Sequence, residues 1–120
     1  MGHLGEQVGA ITYKRTTVDT TGASITLNSR LQENMFIGSN AIVAPKTFVV
    51  NAGLGTNEFR MRLNLTAGVA LTWPADFKMG PDPDWVAATN IWTTPLTGEY
   101  EAHGVYDGTN WYLTMTGLFN

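Results

Sequence analysis

Two carboxylates and an imidazole alternate along "GEYEAHGVY" as Glu99, Glu101 and His103. A β-strand sends every second side chain to the same face, so all three project together. Such a donor set could bind a metal ion. A barrel metal site also needs ligands from a second strand, usually with another histidine, and the only other histidine is His3. We therefore expect a solvated outer face and no metal ligands. At a subunit seam, His103 would make that face responsive to pH. A metal-dependent enzyme built on the three residues ranks third among the readings, and elemental analysis for stoichiometric metal decides it.

Other constellations are weaker. Asp82 and Asp84 in "GPDPDW" bring two carboxylates to a turn, but EF-hand spacing is absent and the prolines do not suit it. The expectation is a rigid turn with exposed carboxylates, a weak surface calcium being the alternative. None of Ser24, Ser29 and Ser39 sits in a Gly-x-Ser-x-Gly elbow. "NAGLGTN" has two glycines but neither the lysine nor the helix of a phosphate loop. No two acids are placed as a glycosidase pair. The chain is expected to be a non-enzyme without cofactor.

Aromatic residues crowd the C-terminal half: Trp73, Phe77, Trp85, Trp92, Trp111 and Tyr112. Flat rings on a β-scaffold stack on sugars, anchor subunit interfaces or fill cores. Trp73 and Trp111 fall on alternating strand faces and are assigned to the core. Phe77, Pro81, Pro83, Trp85, Trp92 and Tyr112 are the candidates for a subunit interface or a ligand loop, with interface preferred over sugar.

Composition narrows the partners. The 120 residues suit one domain, 1–120. Charged residues are 14% against about 25% in typical domains, so neutral polar side chains must cover much of the surface. Such a surface repels copies weakly and suits an assembly. A net charge of −3, with no Lys/Arg run, argues against nucleic acid. Without cysteine there is neither a disulfide nor a thiolate. No apolar run is long enough to span a membrane, and "MGHLGEQVG" lacks the apolar stretch of a secretory signal. Asn64-Leu65-Thr66 is then a chance glycosylation sequon.

The governing period is two. "EFRMRLNL" sets Phe59, Met61, Leu63 and Leu65 against Glu58, Arg60, Arg62 and Asn64. "VALTW" continues with Val69, Leu71 and Trp73, and Ala67-Gly68 predicts a tight turn making a hairpin with the strand before it. "ASITL" and "TFVVN" predict two further strands. In the clearest hairpin, around Asp107-Gly108, Tyr100, Ala102, Gly104 and Tyr106 share one face of the first strand, and Trp111, Leu113 and Met115 share one face of the second. "NSRLQENMF" holds at most one helical turn, no internal repeat is visible, and 77–95 shows no strand character. The fold expected is all-β: a single jelly-roll-like antiparallel β-sandwich.

"LNLTAGVALTWPADFKMGPDPDW" and "GVYDGTNWYLTMTG" together resemble a β-module of tailed-bacteriophage virion proteins, over roughly residues 57–117. Its marks are an aromatic-proline step, here Trp73-Pro74, then a "-F-K-" segment, a Gly/Pro-rich loop and a closing Tyr-Asp-Gly-x-x-Trp-Tyr hairpin. Two features depart from it: the loop has Gly80-Pro81-Asp82-Pro83-Asp84 where paired glycines usually stand, and a start at Met1 leads us to expect none of the fibre shaft that such a module usually follows. The resemblance implies a phage structural protein, and the expectation built on it is a capsid decoration (cement) protein, a homotrimer that binds the major capsid protein on the virion surface and is made in the host cytoplasm. An N-terminal arm over about residues 1–10 would contact the shell through His3, Leu4 and Gln7. The alternative it implies is a receptor-binding or head/tail-fibre module that recognises host glycans through Trp85, Trp92 or Tyr112.

Overall fold

The computed structural model describes residues 15–29, 35–52 and 57–118. Eleven strands occur among them, and no helix: β1 (Arg15–Val18), β2 (Ser24–Ser29), β3 (Met35–Gly38), β4 (Lys46–Ala52), β5 (Glu58–Leu65), β6 (Ala70–Thr72), β7 (Phe77–Met79), β8 (Trp85–Val86), β9 (Ile91–Thr93), β10 (Gly98–Tyr106) and β11 (Trp111–Gly117). They form a six-stranded sheet in the order β1-β3-β5-β10-β11-β7 and a five-stranded sheet in the order β2-β4-β6-β9-β8. The all-β, two-sheet expectation stands.

The topology differs from an antiparallel jelly roll. From β1 to β6 the chain alternates between the sheets, so successive strands within one sheet run parallel: β1 with β3, β3 with β5, β2 with β4 and β4 with β6. The first half is thus a flattened parallel coil. Antiparallel pairs enter with β9, which lies between β6 and β8, and β10, which lies between β5 and β11, while β11 pairs β7 in parallel. The backbone repeats while the sequence does not, because each turn needs only inward apolar residues and a polar corner.

Those corners are held by hydrogen bonds. Buried Thr20 donates through Oγ1 to the Asn40 carbonyl at 2.8 Å and accepts the Asn40 N–H at 3.0 Å, tying one corner to the next. Lys46 is nearly buried, and its ammonium donates to the carbonyls of Thr21 and Gly22 at 3.2 and 2.7 Å. A buried charge needs such partners.

The tight turn at Ala67-Gly68 exists, with Gly68 at φ 87°. It does not make a hairpin. Its N–H groups bond the Thr97 hydroxyl and the Thr94 carbonyl, which carries the chain from β5 in one sheet to β6 in the other. The stretch 77–95 contains β7, β8 and β9, too short for a period to show. Of the suggested helical turn, Asn28 lies in β2 and Met35-Phe36 in β3, while residues 30–34 fall outside the described residues.

The core fills the space between the sheets. Phe59, Met61, Leu63 and Leu65 of β5 are buried, as the alternation requires, with Tyr100 and Ala102 of β10 beside them. An aromatic column runs through it: Phe48 stacks on Trp73 with centroids 4.1 Å apart, Trp73 on Phe77 at 5.3 Å, and Phe77 on Trp111 at 5.6 Å. Each such ring contributes roughly 1.5–3 kcal/mol by burial. The indole N–H groups of Trp73 and Trp92 are buried with no acceptor among the described residues, which offsets part of that gain.

Candidate interaction surface

The Pro-rich stretch follows from β7. Met79 ends that strand, and Pro81 and Pro83 then stand exposed. Asp82 Oδ1 accepts the Asp84 N–H at 2.8 Å, and the Asp82 carbonyl accepts the Trp85 N–H at 3.2 Å. Trp85 pairs with Trp92 and Val86 with Ile91, so the loop returns as a short antiparallel ribbon. Trp85 is half-buried against the core, and Val86 is exposed. Asp82 therefore closes its own turn, and Asp82 and Asp84 are half-buried where exposed carboxylates were expected.

Asn90 locks this loop. Its φ of 53° is the only positive value at a non-glycine among the described residues. Its Nδ2 donates to the carbonyls of Pro74 and Phe77 at 2.6 and 3.0 Å, and its own carbonyl accepts the Trp73 N–H at 2.9 Å. Asparagine tolerates this left-handed backbone better than other non-glycine residues. Asn90→Ala should cost about 2–3 kcal/mol in chemical denaturation, and Asn90→Gly about 1 kcal/mol less than that, because glycine restores the backbone but not the bonds. Equal losses for the two variants would mean that the backbone conformation contributes nothing.

The outer face of the six-stranded sheet carries Glu99, Glu101 and His103. Each of the latter two meets a neighbour on β5: Arg60 Nη1 lies 3.1 Å from Glu101 Oε1, and His103 Nε2 lies 2.5 Å from Glu58 Oε2. Surface pairs like the first contribute about 0–1 kcal/mol. Among the described residues no three His, Asp or Glu side chains converge as a metal would require. On the same face Tyr112 is 50% exposed and sits opposite Val105 on one side and Lys78 on the other.

Among the described residues two carboxyls are held below their ordinary range by turn hydrogen bonds: Asp19 chiefly by the Thr21 hydroxyl and then its N–H, Asp107 chiefly by the Asn110 N–H and then that of Thr109. A depressed carboxyl adds stability that is complete above its unfolded pKa and is lost as pH falls through its folded value. The melting temperature should therefore drop on acidification below about pH 4. Asp107→Asn, measured by thermal melts across that window, should flatten the drop. An unchanged acid limb would assign the dependence elsewhere.

The sequence-based candidates are thus separated. Phe77 and Trp92 are buried in the core, Phe77 completely. Pro81, Pro83 and Trp85 stay together on the loop, whereas Tyr112 lies apart on the sheet face. His3, Leu4 and Gln7 lie outside the described residues. Sequence reasoning missed Asn90, Thr20 and Lys46. For Asn90 the usable signal was an asparagine directly before a β-rich triplet, "NIWT". Comparison of the chain with models of known protein families, with curated proteins and with solved structures found no match.

Proposed function

We propose that the chain is a capsid decoration protein of a tailed bacteriophage, which binds the major capsid protein as a homotrimer and stabilises the shell. The class comes from the resemblance over 57–117. The observation that carries it further is the loop from Gly80 to Asn90: two exposed prolines and a half-buried tryptophan, clamped by Asn90. A loop fixed before binding loses little entropy on docking, so it favours repeated attachment to a fixed partner. Three such contacts about one axis would add by avidity. The protein would act at the virion surface, after synthesis in the host cytoplasm, without catalysis or cofactor. Sedimentation should give a trimer mass, and the trimer should bind shells stripped of it. A monomer that binds no shell would end the reading.

A second reading, host-glycan recognition, is favoured by Tyr112, 50% exposed on the outer sheet face, and by the half-buried Trp85. Under it, Tyr112→Ala or Trp85→Ala abolishes adhesion to host cells while the assembly persists. Trp92→Ala cannot discriminate, because that ring is core.

A further inference from the structure

Strand β11 outlasts its neighbour. Trp111 and Leu113 face Phe77 and Met79 in parallel register, and the Trp111 N–H donates to the Asp76 carbonyl at 2.8 Å. Backbone groups alternate sides along a strand, so the N–H and C=O of residues 111, 113, 115 and 117 point toward β7. The Leu118 N–H, which bonds the Glu99 carbonyl at 2.8 Å on the β10 side, fixes the same parity from the other direction. But β7 stops at Met79, and its pairing with β11 ends at Leu113, so Gly80-Pro81 does not continue the ladder. Among the described residues, Met115 and Gly117 thus present N–H and C=O groups to an empty strand position. Beside that position lies a cavity of about 200 Å³ lined by residues 79–82 and 113–115, Met79, Met115 and Asp82 among them.

We propose that Thr114–Gly117 accepts an added strand: an extended protein segment with aliphatic residues at alternate positions, which continues the line of β7 and puts one side chain into the methionine-lined cavity. Donors and acceptors repeating every second residue match a peptide backbone. Methionines adapt to the side chain that enters. Edges that must stay unpaired usually carry charge, proline or a bulge. "TMTG" carries none of these. The Asp82 carboxylate, whose Oδ1 already accepts the Asp84 N–H, adds negative charge to the cavity and favours a lysine or arginine next to the entering residue. That the segment belongs to the shell protein rests on the decoration reading above; the slot itself does not.

Isotope-labelled protein titrated with a capped peptide of alternating threonine and valine ending in lysine tests the slot. The amides of Met115 and Gly117 should shift and exchange more slowly. Gly117→Pro removes an N–H that no bond among the described residues uses, so it should fold normally and bind the peptide tenfold or more weakly. Met115→Lys, which puts a charge in the cavity, should do the same. Shifts confined to other residues, or variants that bind like wild type, overturn the slot. If stripped shells bind wild type and Gly117→Pro equally, the added strand is wrong and the decoration reading survives. If shells bind neither while the peptide protects Met115 and Gly117, the slot survives and the decoration reading falls.

Discussion

Gly104→Ala should destabilise the protein by about 3 kcal/mol or more, or prevent folding. Gly104 lies on β10 directly opposite Phe59 of β5. The Phe59 ring covers the glycine: a Cβ there would sit 2.3 Å from Phe59 Cε2 and 2.8 Å from Cζ. Neither partner can give way. Phe59 is fully buried and packs on Trp111 at a centroid distance of 5.3 Å, while Gly104 sits in the middle of a strand paired on both sides. Denaturant titration of Gly104→Ala, Phe59→Leu and the double variant measures this. The two changes should couple favourably, because the smaller side chain leaves room for the methyl group. Strict additivity would mean that the ring does not lie over the glycine.

Phe77→Ala comes next, with an expected loss of about 3–5 kcal/mol. Phe77 is the middle ring of the aromatic column, between Trp73 and Trp111, and it also meets Phe59 at 6.2 Å. Its removal opens a cavity bounded by three large rings held by both sheets, so the site cannot collapse easily. Phe77→Leu should recover more than half of the loss. The measurement is equilibrium unfolding of the monomeric unit. An interface residue would behave differently: Phe77→Ala would then leave monomer stability unchanged and shift only assembly.

How far the sequence revealed this fold depended on the length of its periodic runs. The eight residues of "EFRMRLNL" give four inward and four outward side chains, and β5 is found there with that burial. The closing hairpin was equally plain, because its turn and both faces agree. By contrast, β7, β8 and β9 span two or three residues each, too few to display a period of two. Parallel pairing in the first half was hidden for another reason. Alternation shows which face of a strand is buried, but not which sheet receives the next strand. That choice is made by corner contacts such as Thr20 to Asn40 and Gly68 to Thr94, between residues far apart in the chain. The same holds for the candidate site. Pro81, Pro83 and Trp85 were identifiable as a stiff loop, but Asn90, which holds it, acts on Pro74 and Phe77 from 16 and 13 residues away. Trp92 looked loop-borne because β9 is short, yet its ring meets Tyr100 edge-on in the core.

The decoration reading is tested most directly by gold-labelled antibody against the chain on intact virions, viewed by electron microscopy. It predicts label spread evenly over the head. Label confined to the tail tip or to sparse head spikes would contradict it and transfer the role to receptor recognition by Trp85 and Tyr112.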